Sequence, residues 1–423
     1  MTNKEQSVDE LIVAYFATLS RHSPDDVSRQ APFGLSVPSL LLIYIVVLLF
    51  TPCVEWNSAP VKSGFISMGV FACPEGTPLN DNGTCDAQNM QLNLLMDSHL
   101  WLSFLLGGFF LQVLKQRYIS VVGYSLGTVG CLLKLLLKYD FCAWAAMVLL
   151  STGHLLCHTG MSHISRLFPR RQGTMLGMLG MAVACSSYVG TVEYKLLLRS
   201  YSSYLWLQCL WAVVHATGAA LMFLLTPVVP YTSVEPISMH DYVLTMEPFR
   251  LLRSKESVLF IVYNSMAQLR TYYLIPMSFK TQSMIFSPMD MFTCFIMGII
   301  FDRWGVWYVV TILNLSIIIS LSFTLFDVSG FAETFGLASY IISGSWVVTL
   351  VNAYAFGSIP GRFTCRVAGL IYFISGLITM AGVLVMTYFS QRGFNPTCEL
   401  WILSVVLQIP ISQRTGSQQR SFA

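Results

Sequence analysis

The apolar residues of this chain fall into separated blocks about 20 residues long, the length an α-helix needs to cross a hydrocarbon layer roughly 30 Å thick. Of its 423 residues 55% are hydrophobic and 11% charged, whereas a domain covered by water carries about 25% charge. A polytopic, all-α membrane protein follows, with the lipid bilayer as its first partner. The net charge of +3 is small and scattered, so no basic patch suited to nucleic acid is present.

Breaks made by charge, proline and glycine divide the apolar residues into twelve expected spans: 36–54, 93–114, 118–137, 141–163, 173–195, 203–226, 257–279, 285–301, 306–326, 334–356, 366–389 and 397–412. Placing the N-terminus in the cytoplasm puts sixteen Lys and Arg residues on inner segments, among them Lys115, Arg166, Arg171 and Arg303, and seven on outer ones. That excess favours both termini inside, and the plasma membrane is the expected location. The first 36 residues are polar and mixed in charge, so no cleavable signal peptide is expected, and the first span serves as the insertion signal.

The first outer loop holds Asn82-Gly83-Thr84, an N-glycosylation acceptor. Cys73 and Cys85 bracket it, either as a disulfide on an oxidising face or as two unpaired loop thiols. The longest inner loop, about 227–256, contains Pro227, Pro230, Pro236 and Pro248 and reads as a linker. The expected organisation is a cytoplasmic tail (1–35), a six-helix bundle (36–226), the linker (227–256), a second six-helix bundle (257–412) and a second tail (413–423).

After the eighth span the chain reads Gly298-Ile-Ile-Phe-Asp302-Arg303-Trp-Gly305. Glycine there permits close helix contact, and an Asp/Arg pair can lock the inner ends of neighbouring helices as a gate. The alternative is an ordinary helix end with a snorkelling arginine. In the first half the corresponding stretch runs from Gly108 to Arg117, with Gln112 where the second half has Asp302. The G-x-x-x-D-R-x-G pattern in a six-plus-six layout resembles the major facilitator superfamily, which implies two bundles facing each other across a midplane site. Shorter segments resemble solute carrier family 43: Cys85-Asp86-Ala87-Gln88, Leu167-Phe168-Pro169 with Gly173-Thr174 and Ser186-Ser187, Phe223 to Pro227, and Asn352-Ala353 with Ile359-Pro360. That family includes facilitative carriers of large neutral amino acids and a nucleobase carrier. The related amino-acid transporters of apicomplexan parasites are similar in the same way. The resemblance implies amino-acid uniport or exchange by alternating access.

Arg270 lies inside the seventh span, about thirteen residues or roughly 20 Å from its inner end. A charge at that depth should face a cavity or a partner. Its planar fork suits a carboxylate, so Arg270 is a candidate for binding a substrate carboxylate. The competing reading is an internal salt bridge to Asp97 or Asp290, and the two can alternate. Further candidates for a central polar cavity are Asn57, Ser186, Ser187, Asn264, Tyr273 and Asn352, each equally able to bond a neighbouring helix.

His154 and His158 share a helix face, but no acidic residue stands beside them as a metal-assisted base requires, and no metal site is assigned. Eleven cysteines occur without a C-x-x-C pair. There is no P-loop, nucleophile elbow or dinucleotide fingerprint, so neither ATP-driven pumping, catalysis nor a cofactor is expected.

Overall fold

The computed structural model describes residues 32–51, 58–79, 84–137, 139–168, 170–187, 189–226, 247–273, 277–326, 331–359, 363–390, 392 and 395–422. Among these, the regular structure is helical throughout. The first half contains α1 (Val37–Leu49), α2 (Ser58–Ser67), α3 (Asp86–Val113), α4 (Gln116–Leu133), α5 (Asp140–Ser162), α6 (Gln172–Ser187), α7 (Val189–Arg199) and α8 (Tyr201–Leu225). The second half contains α9 (Glu247–Leu251), α10 (Lys255–Tyr273), α11 (Met277–Trp304), α12 (Val306–Leu325), α13 (Phe331–Ser345), α14 (Val347–Ser358), α15 (Thr364–Ser390) and α16 (Pro396–Phe422). Seven helical segments among the described residues are long and apolar enough to cross a membrane.

Each expected span meets a helix, with three informative differences. The second helix starts at Asp86, seven residues before the expected 93. Its polar first turns are held by Lys62 of α2, whose ammonium donates to Asn89 Oδ1 (2.8 Å) and Asn93 Oδ1 (2.7 Å). The helix therefore outlasts its apolar core. The tenth span is divided into α13 and α14 around Trp346. The last helix runs ten residues beyond the expected 412.

Local chemistry fixes several ends. Ser36 caps α1 by accepting from the Ser39 amide at 3.2 Å, with Pro38 in the first turn. Gly305 alone joins α11 to α12 with φ of 85°, a backbone that a side chain would strain, so the final glycine of the signature is required by the turn.

Two pairs of helices carry the packing between the halves: α3 with α15, and α6 with α11. Glycine makes both possible. A Cβ on Gly108 would lie 2.6 Å from the Gly369 carbonyl, and one on Gly173 would lie 2.6 Å from that of Gly298. Backbones in such contact gain dispersion and leave no room for lipid. Gly108 and Gly298 occupy the same place in the two halves, so the two seams repeat one device.

Candidate functional site

Four contacts tie the halves together at the end where Lys115, Arg171 and Arg303 lie, called here the basic end. Asp302 accepts from the Gly173 amide (2.6 Å), the Thr174 amide (2.8 Å) and the Thr174 hydroxyl (2.5 Å). An acidic side chain thus caps the N-terminus of α6 across the seam, where the helix dipole favours it. Arg303 does not share in this bond and is exposed. Arg166 donates to the Ile359 carbonyl (2.9 Å) and to the Thr364 hydroxyl, with its guanidinium over the Phe356 ring. Gln172 donates to the Phe356 carbonyl (2.8 Å). Cys365 meets Gln116 Oε1 at 2.8 Å. The counterpart of Asp302, Gln112, bonds instead to Gly108 of its own helix. The sequence pattern marked Asp302 alone; Arg166, Gln172 and Gln116 sit among ordinary loop residues and carry no signature.

Deeper in, Asn352 of α14 joins the halves. Its amide nitrogen lies 3.3 Å from both Ser162 Oγ and His158 Nδ1 of α5, and its oxygen accepts from the Tyr372 hydroxyl at 3.4 Å. His154 turns the other way, with its Nε2 3.1 Å from Nε2 of His215 on α8. The two histidines of one face thus serve different partners. Among the described residues no group of three side chains is placed to hold a metal ion.

Arg270 stands on α10 about 22 Å along the helix from Lys255. It is 1% exposed. Nη1 donates to the Ser343 hydroxyl, and the guanidinium carbon lies 5.0 Å over the Tyr340 ring. Ser343 in turn donates to the Tyr340 carbonyl at 2.7 Å. Among the described residues no carboxylate pairs with Arg270, and its Nε and Nη2 have no hydrogen-bond partner. Those two nitrogens share one edge of the guanidinium plane, with parallel N–H bonds, the edge that grips a carboxylate side-on. Beside them lies Gly344, where a Cβ would meet, among the described residues, only Arg270 Nη2 at 3.7 Å, so this position can take a small side chain next to the buried fork. Two residues later Trp346 interrupts the tenth span, held by its indole N–H on the Cys294 carbonyl (2.9 Å), and α14 begins.

The remaining candidates are spread out. Asn264 is fully buried on α10, and both of its amide atoms are without a partner among the described residues. Ser186 bonds the Val183 carbonyl of its own helix at 2.8 Å. Asp290 is half-buried on α11. Asn57 and Asn82, and the side chains of Ser187, Tyr273 and Asp97, lie outside the described residues. At the opposite end from the basic loops, Cys73 and Cys85 form a disulfide with Cα atoms 5.9 Å apart.

No family model matches the chain, and no curated protein matches it in sequence. Its backbone is nonetheless similar to solved structures over most of its length. One is the human organic anion transporter MFSD10 (TETRAN), with a TM-score of 0.58 at 16% identity, covering 88% of this chain and 99% of that one. Another is a bacterial homologue of the iron transporter ferroportin in an outward-facing state, with a TM-score of 0.60 at 13% identity, covering 91% and 100%. A third is the major facilitator proton:xylose symporter XylE bound to 6-bromo-6-deoxy-D-glucose, at 0.56 and 12%, covering 89% and 94%. This chain has the major facilitator fold. In that fold α3, α6, α11 and α15 are the helices on which the two bundles meet, and the Arg270 fork lies on a helix of the second bundle. The identities, all below a fifth, fix the fold and leave the solute open.

Proposed function

We propose that the protein is a carrier working by alternating access, whose solute is an α-amino acid held by its carboxylate on Arg270. The observation that carries this reading is the unpartnered Nε/Nη2 edge of a buried guanidinium, with Gly344 next to Nη2. A buried charge without a partner is costly, and proteins keep one in a membrane span where function needs it. The contacts at the basic end supply the gate: Asp302 on α6, Arg166 on Ile359 and Thr364, and Gln172 on Phe356 must part for the solute to leave on that side. The resemblance to solute carrier family 43 points to a neutral amino acid, moved by uniport or exchange across the plasma membrane with both termini inside and Asn82 carrying a glycan.

Liposomes containing the purified protein, offered a panel of labelled neutral amino acids and nucleobases with and without proton or sodium gradients, test this reading. Uptake of leucine without a gradient is expected. Uptake of a nucleobase and no amino acid would replace it with a nucleobase carrier, and uptake of nothing would make the fold a scaffold without transport.

A further inference from the structure

Among the described residues the buried cations are held in different ways, Arg166 at the basic end by a carbonyl, a hydroxyl and the Phe356 ring. Lys134 at the end of α4 pairs with Glu193 of α7 at 2.7 Å, and Lys62 is held by two asparagines. Arg270 has a hydroxyl and an aromatic ring, and no carboxylate among the described residues. Its contacts to Ser343 and Tyr340 come from the protein itself and leave its charge uncompensated.

A carrier that opens alternately to two sides passes through a state closed to both. In that state the Arg270 fork is cut off from water. With a carboxylate in the fork the closed site is neutral there; without one it holds an uncompensated cation in a medium of low dielectric. We propose that the protein is an exchanger: the loaded carrier crosses between its two openings much faster than the empty one, so that one solute entering is traded for one leaving. This inference rests on the carboxylate reading given above and decides what that reading leaves open, uniport or exchange. The smallest penalty for an arginine in a span corresponds to roughly a sixtyfold difference in rate. A stimulation of at least about tenfold by solute on the far side is therefore expected.

The test uses the unmodified full-length protein in liposomes and labelled leucine as the probe, with the lumen holding unlabelled leucine, leucinamide or neither. Influx should be at least tenfold faster into leucine-filled vesicles than into empty ones, and leucinamide, which lacks the carboxylate, should give no stimulation. Equal influx into filled and empty vesicles would overturn exchange and leave the carboxylate reading standing; that result is expected if Asp97 neutralises Arg270 in the empty carrier. Stimulation by leucinamide equal to that by leucine would overturn exchange by charge compensation. Absence of leucine influx in every arm would overturn the carboxylate reading itself.

Discussion

In the proposed carrier, Arg270 sets the chemistry at the scale of single residues. A guanidinium buried without a carboxylate lowers stability, and replacing such a group by an apolar one of similar volume is often stabilising. Arg270→Leu is accordingly expected to raise the thermal unfolding midpoint in detergent by a few degrees while abolishing uptake, an exchange of stability for activity. A fall in the midpoint would show that the charge is already compensated. The arginine was legible in the sequence because a charge in a 20-residue apolar block has few structural uses. Its surroundings were not. Ser343 and Gly344 carry no charge and look like any small residues of a span, and only folding brings Ser343 across to α10. Asn264 was likewise legible as a polar residue in the seventh span, but that both of its amide atoms are without a partner is visible only once α10 is packed.

At the scale of elements, the broken tenth span lies beside the Arg270 fork and the capped fifth one closes a seam between the halves. A larger side chain at Gly344 should crowd the fork without disturbing the fold, since among the described residues a Cβ there meets only Arg270 Nη2. Gly344→Val is expected to reduce uptake at least tenfold with an unchanged unfolding midpoint. At the basic end, Asp302 holds the N-terminus of α6 across the seam. Loss of that charged cap costs about 1–2 kcal/mol, or roughly five- to thirtyfold in the opening equilibrium. Asp302→Asn should therefore speed the alkylation of Cys365, a buried thiol at the same end, by a factor in that range. Sequence pattern marked this element by G-x-x-x-D-R-x-G. It suggested an Asp/Arg pair, whereas the carboxylate is taken by three donors on α6 and Arg303 is exposed. Helix boundaries differed from apolar length at α3, whose first turns Lys62 holds, and at α16, which runs ten residues further than expected.

For the whole molecule, periodic apolar blocks were enough to foresee twelve spans, because the bilayer leaves a helix few ways to be in it. The pairing of α3 with α15 and α6 with α11 was hidden, since glycines at 108, 173, 298 and 369 are separated by up to 261 positions and show their purpose only in contact. The ends of the molecule differ: one carries the basic loops and the inter-bundle ties, the other the Cys73–Cys85 disulfide. Closing that short loop stabilises by about 2–3 kcal/mol in the chain-entropy account, so Cys73→Ser is expected to lower the unfolding midpoint by several degrees. The central claim for the molecule is that a substrate carboxylate sits in the Arg270 fork. It is tested most directly by the binding of leucine and leucinamide to purified wild-type protein and to Arg270→Gln. Two charge-assisted bonds are worth about 2 kcal/mol or more over neutral ones, roughly thirtyfold in affinity. Wild type should prefer leucine over leucinamide by that factor and Arg270→Gln should bind the two within a few-fold, whereas a preference that survives in Arg270→Gln would contradict the account.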